Sequence, residues 1–192
     1  LYKSSEGLGD NITELKIYSP KNKITLSQIM PVLESYGFEV IKEHTYCVDI
    51  SANNSDVKEV WVHYFNLNLS NKNHQFSTEI KEVFEQNIDL VWQNVLKVGF
   101  LNKLVVHSLL NWKEIYVLYA YVKYLYQIGL RYENSVIADI LVKNSDIAKL
   151  MAKMFEVKFS TSLKLKVSDR ALEIEKIAHQ IEEKLLKVSN IT

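Results

Sequence analysis

Asn111-Trp112-Lys113-Glu114-Ile115-Tyr116-Val117-Leu118-Tyr119-Ala120-Tyr121-Val122-Lys123-Tyr124-Leu125-Tyr126-Gln127-Ile128 is the stretch that decides the kind of fold this chain adopts. At 3.6 residues per turn, Ile115, Leu118, Val122 and Leu125 form one apolar stripe, widened by Trp112, Tyr119 and Tyr126. Val117, Tyr121, Tyr124 and Ile128 form a second stripe on roughly the opposite side, leaving a narrow polar strip with Lys113, Lys123 and Gln127. A helix apolar on two sides expects cover on two sides. Lys113, Glu114 and Lys123 interrupt the run, which argues against a membrane span. The stretch therefore predicts the central helix of a helical layer.

Around it lie further helical patterns. Residues 77–97 carry Ile80, Val83, Phe84, Ile88, Val91 and Val95 at helical spacing, with Ser77 or Thr78 as N-cap. Shorter helices are expected near 101–110, at 133–143 and at 145–158, the last two divided by Asn144-Ser145. Phe159 to Val167 reads as a linker or a short strand. The segment 168–188 reads as an amphipathic helix with Leu172, Ile177, Ile181, Leu185 and Val188 on one face.

The first part of the chain has a different period. Ile12 to Tyr18 alternates as a strand does, and Pro20 and Asn22 mark a turn. Thr25 or Ser27 caps a helix over roughly 25–36, with Leu26, Ile29, Met30 and Leu33 on one face and Pro31 one turn in. Gly37 suits its left-handed terminus. A second strand runs from Phe38, Val40 and Ile41 through Tyr46, Val48 and Ile50, a turn follows at Asn53-Asn54-Ser55, and Val60, Val62, Tyr64, Leu67 and Leu69 give a third. The predicted order is β-α-β-β followed by helices. The expected class is α+β: a small sheet unit at 1–72, a helical domain at 73–160, and a linker with an amphipathic C-terminal helix at 161–192.

Composition narrows the function. With 23 basic and 23 acidic residues the formal net charge is zero, and no basic stripe points to nucleic acid. The single Cys47 forbids an internal disulfide and fits a reducing, cytoplasmic setting; its β-like context predicts a buried, inert thiol. No basic start followed by an apolar run marks a signal peptide. The chain opens on Leu1 rather than Met, the expectation being a fragment of something longer.

Chemistry is sparse in the pattern. Of the five histidines (His44, His63, His74, His107 and His179) no two stand three or four apart, as a helical metal pair requires. His44 and Cys47 stand three apart in a strand, hence on opposite faces. Gly7-Leu8-Gly9 precedes a strand, the wrong context for a dinucleotide turn. Trp61, Trp92 and Trp112 read as core anchors. No catalytic, cofactor-binding or metal-binding residue is assigned.

Several longer runs carry a resemblance. Ile24 to Glu43, ITLSQIMPVLESYGFEVIKE, is similar to the segment "LSD-x-LP-x-LE-x-x-G-x-x-V-x-x-E" of the large, NAD-specific glutamate dehydrogenases of bacteria. Trp61-Val62-His63-Tyr64-Phe65 resembles their "WIHDF" strand, Leu101 to Val105 their "LNRLV", Trp112 to Ile128 their "WRE-x-x-x-LRAY-x-x-YLRQ" helix, and Phe155 to Phe159 their "FE-x-RF". Tyr119 and Tyr126 stand where that family usually has Arg, and Lys103 and Lys113 also replace Arg, which is not neutral at a bidentate site. Lys97-Val98-Gly99 stands where acidic residues are common.

The resemblance implies an ACT-like regulatory piece followed by a helical segment, lying upstream of a catalytic domain that would begin just past Ser189-Asn190. It implies a parent reaction, oxidation of L-glutamate to 2-oxoglutarate and ammonia with NAD, with NAD held outside this chain. It implies as partners the remainder of the same polypeptide, a homo-oligomer and, as an option, an amino-acid effector; neither nucleic acid nor membrane is expected. Two rival expectations stand beside it: a free-standing amino-acid-sensing ACT-like module, and a protein-interaction scaffold that uses the 168–188 helix.

Overall fold

The computed structural model describes residues 2–3, 12–20, 22–50, 59–69 and 77–188. The Gly7-Leu8-Gly9 run, the Asn53-Asn54-Ser55 turn, His74 and Ser189-Asn190 lie outside the described residues. The chain divides into two compact units, residues 1–99 and 100–192.

The first unit is built on an antiparallel sheet of order β1-β2-β4-β3. Its strands are β1 (Tyr2–Lys3), β2 (Ile12–Pro20), β3 (Phe38–Asp49) and β4 (Glu59–Leu69). Helix α1 (Leu26–Ser35) joins β2 to β3, and α2 (Thr78–Trp92) follows β4. The predicted β-α-β-β order is present, and β1, two residues long, is an addition that no periodicity announces.

Local chemistry sets the helix ends. The Thr25 N–H donates to Gln28 Oε1 at 3.0 Å, so the first turn of α1 satisfies its own entry. Gly37 follows at φ 86°, the left-handed conformation that a residue without a Cβ adopts freely. Ser77 Oγ accepts from the Ile80 N–H at the start of α2.

One face of the sheet meets both helices. It carries Leu15 from β2, Phe65 and Leu67 from β4, and Phe38 from β3, all buried. Tyr36 and Phe38 pack edge-on against Phe84 of α2, at 4.9 and 5.2 Å between ring centroids. The Tyr36 hydroxyl donates to Asn87 Oδ1 at 2.8 Å. Each of these large side chains contributes about 2 kcal/mol by leaving water. Helix α2 thereby belongs to the sheet unit. The two compact units divide at Gly99/Phe100.

β3 departs from simple alternation at Ile41. The pairing of Val40 with Leu67 is followed by Lys42 with Asn66, so Ile41 is an extra residue, 51% exposed. The bulge inverts the faces of everything after it. Glu43, Thr45 and Cys47 now share the helix-facing side, while Tyr46 and Val48 turn to the other face and are exposed. Cys47 is exposed because this end of β3 runs past the cover of the helices, which corrects the buried thiol expected from its context.

The second unit is helical: α3 (Lys103–Ser108), α4 (Trp112–Gln127), α5 (Asn134–Lys143), α6 (Ser145–Phe159) and α7 (Val167–Leu185). Residues 160–166 are irregular, so the short strand considered there is not formed. Leu101, Leu104, Val105, Leu118, Ala148, Ala152 and Ile177 form the core. Helix α4 starts on Asn111, whose Oδ1 accepts from the Lys113 and Glu114 N–H groups, while Glu114 Oε2 accepts from the Asn111 N–H. Its first stripe, Ile115, Leu118 and Val122, is buried. Its second is not enclosed: Tyr124 and Ile128 are 59% and 54% exposed.

Helix α7 packs along α6 through Ile177, with Ile174 and Ile181 partly covered beside it. Leu172 and Leu185 are exposed, so the buried stripe is rotated from the one read in the sequence. The three tryptophans also fall short of the expected core role. Trp92 is 43% exposed, and Trp61 and Trp112 are only half-buried. Each sits at the start or end of its element, where cover from neighbouring elements thins.

Candidate functional site

In the sheet unit, the polar group most deeply held is His63, on the helix-facing side of β4. Its Nε2 accepts from the Ile24 N–H at 3.1 Å, and its Nδ1 lies 2.8 Å from Thr45 Oγ1. The Thr45 hydroxyl in turn donates to the Glu43 carboxylate. An Nε2 that accepts has its proton on Nδ1, so the ring is neutral. Burial pushes the imidazole below its ordinary value, opposed by Glu43 and assisted by Lys23. Both ring nitrogens are thus engaged in tying β3 and the segment before α1 to the central strand. The arrangement is a structural clamp. In the sequence His63 stands among five histidines without helical pairing and within a strand similar to the family's; nothing local points to Thr45, which the Ile41 bulge brings to it.

Beside the sheet, β2 and α2 bound a groove of about 410 Å³ walled by Leu15, Ile17, Ile24, Phe84, Ile88 and Trp92. Its lining is mainly apolar, with Lys16, Glu85 and Asp89 at the margins.

In the helical unit, a smaller groove of about 320 Å³ lies between the start of α4 and the end of α6, against Val117, Phe155 and Phe159. Just beyond it, the Arg170 guanidinium donates to the carbonyls of Val157, Ser160 and Leu163, the latter two at 3.0 and 3.1 Å. One side chain of α7 thereby closes the C-terminal end of α6, where the last carbonyls of a helix lack partners of their own. Lys184 donates to Asp146 at 2.9 Å, and this hydrogen bond, with the charge behind it, holds the Asp146 carboxyl below its usual range. Both side chains are substantially exposed, so the pair contributes little to stability.

These arrangements position elements; none lines up a nucleophile, a base and an oxyanion donor. Among the described residues no cluster of three or more His, Cys, Asp or Glu side chains is arranged to hold a metal. His44 and Cys47 fall on opposite faces of β3. A dinucleotide does not fit the sheet described here. Its strands all pair antiparallel, whereas a pyrophosphate site is built on a parallel strand, a Gly-rich turn and a following helix. No described helix is long and apolar enough to cross a membrane.

The chain matches known proteins in two consecutive blocks. Residues 1–81 match the glutamate dehydrogenase ACT3 domain, and residues 99–161 match the glutamate dehydrogenase helical motif 3. Among curated proteins, it is 28% identical over 159 residues to an NAD-specific glutamate dehydrogenase of Halomonas elongata, covering 83% of this chain. It is 25% identical over 173 residues to that of Pseudomonas aeruginosa, covering 90%, and 25% identical over 160 residues to that of Mycobacterium tuberculosis, covering 81%. It spans about 10% of the length of each of these relatives. The two matched blocks follow the order of the two structural units, and the chain belongs to the NAD-specific glutamate dehydrogenase family, as its ACT3 domain followed by its helical motif 3.

Proposed function

We propose that this chain is a non-catalytic, regulatory and structural part of a large NAD-dependent glutamate dehydrogenase. The observation that carries the reading is the succession of an ACT3-type sheet unit and a helical-motif unit, in family order, within about a tenth of the relatives' length. The polar groups of both units support it, since His63, Tyr36 and Arg170 are spent on holding elements together. On this reading the sheet unit meets a neighbouring domain or subunit, and the helical unit is the scaffold that joins it to a catalytic domain elsewhere in a cytoplasmic, homo-oligomeric enzyme. The parent reaction is oxidation of L-glutamate to 2-oxoglutarate and ammonia, with NAD bound in that other domain.

The test is direct. The purified chain, given L-glutamate and NAD, is expected to form no NADH above a no-protein blank. Reproducible NADH formation that scales with the amount of chain would overturn the reading.

A further inference from the structure

The sheet has a second face, turned away from α1 and α2, and the strand register sets its side chains in rows across β2, β4 and β3. In one row Tyr18 and Tyr46 stand on either side of Val62. Two rows along, Glu14 and Lys42 stand on either side of Asn66. The end of the face around the tyrosines is apolar and reaches solvent: Tyr18 is 64% exposed, Tyr46 51% and Val48 38%. Exposed apolar side chains gathered on one face mark a protein contact more often than scattered ones do. The other end is charged, and its signs are divided between the outer strands. Glu14 belongs to β2 and Lys42 to β3, two strand spacings or about 10 Å apart across β4. The Ile41 bulge is what puts Lys42, His44, Tyr46 and Val48 on this side.

We propose that this face is the contact between two copies of the chain, stacked sheet on sheet about a two-fold axis that runs along β4. The contact specifies the neighbouring subunit of the proposed function and rests on that reading. A two-fold contact is isologous: if one residue meets another across it, the second meets the first in return. With the axis along β4 and the sheets about 10 Å apart, β2 of one copy lies over β3 of the other, row upon row. Glu14 then faces the partner's Lys42, and Lys42 faces the partner's Glu14, which gives two equivalent ion pairs. Tyr18 faces the partner's Tyr46 in the same reciprocal way, with Val62 on the axis. In the row between, Lys16 faces the partner's His44, whose imidazole can accept from an ammonium. Glu39, one row beyond Lys42, already accepts from Asn68 Nδ2 at 3.3 Å and lies at the rim. The face is therefore its own complement in charge and in aromatic surface. That property selects a second copy over an unrelated domain, because complementary charge across a contact is what suppresses wrong partners.

Sedimentation equilibrium of the 192-residue chain, from about 1 to 500 µM, tests this. A monomer–dimer equilibrium is expected. Glu14→Lys and, separately, Lys42→Glu are each expected to raise the dimer Kd on the order of 10-fold, since either one turns both ion pairs into like-charge pairs. The two variants mixed in equal amounts are expected to associate about as well as the native chain, because every charge then meets its opposite. Tyr46→Asp, at an exposed position, is expected to weaken the dimer on the order of 100-fold. Exchange protection of the amides paired between β3 and β4 reports that each variant remains folded. A chain that stays monomeric over the whole range would overturn the proposal. So would a dimer indifferent to the single swaps, or a mixture that associates no better than its components, since both mark another surface. None of these results bears on NADH formation, so the contact and the non-catalytic reading fail separately.

Discussion

At the scale of single residues, His63 and Arg170 show how much rests on side chains that a pattern of apolar residues passes over. The clamp at His63 requires a neutral ring, because Nε2 must accept from the Ile24 N–H. Burial lowers the folded-state value below the ordinary 6.5, so the unfolded chain takes up its proton first as pH falls. The His63 contribution is complete above about pH 6.5, declines as pH drops from there toward the folded value, and levels off below it. Urea titrations at pH 7.5 and pH 5 on the native chain and on His63→Gln check this. The native chain is expected to lose more stability between the two pH values than the variant, and equal losses would refute the assignment. Arg170 satisfies carbonyls at the end of α6 from a position on α7. Arg170→Ala is expected to cost about 2 kcal/mol, typical of hydrogen bonds from a charged group. Arg170→Lys should recover less than half of that, because an ammonium cannot reproduce the planar fork that reaches several acceptors.

At the scale of elements, α4 separates burial from hydrophobicity. Its sequence offers two apolar stripes, and the fold encloses one. Leu118 is 1% exposed, so Leu118→Ala is expected to cost about 2–5 kcal/mol through lost transfer energy and the cavity left behind. Tyr124→Ser, on the open side, should change stability by less than about 0.5 kcal/mol. Thermal unfolding of the two variants checks the pair; comparable losses from both would mean that the second stripe is covered after all. The Ile41 bulge makes the same point in a strand. One extra residue moves Tyr46 and Val48 outward and brings Thr45 to His63. Deleting Ile41 would restore strict alternation and exchange those two sets of side chains.

At the scale of the whole molecule, each unit has its own core: Phe65, Leu67 and Phe84 in one, Leu104, Leu118 and Ile177 in the other. The rival scaffold reading gave the 168–188 helix to an outside partner, whereas Ile177 is 1% exposed against α6 within this chain. Ile177→Lys therefore places an unpaired charge in the helical core, a cost of several kcal/mol. The expected outcome is loss of helical circular dichroism from that unit, with the amides paired between β3 and β4 still protected from exchange. A variant that keeps its helicity and loses only self-association would restore the scaffold reading of this helix.

What the sequence determined by itself was the kind and order of elements. Period two and period 3.6 are written into neighbouring residues, and so are the local helix signals at Thr25 and Gln28, Gly37, Ser77 and Asn111. The runs Ile24–Glu43 and Trp112–Ile128 carried the family likeness for the same reason, since they are contiguous. Tertiary structure alone decided which apolar stripe is enclosed, to which unit α2 belongs, and what His63 and Arg170 do. Those outcomes depend on residues far apart in the chain: Ile24 with His63, Tyr36 with Asn87, Val157 with Arg170. Burial and buried hydrogen bonds are properties of such pairs, and no local window of sequence contains both partners.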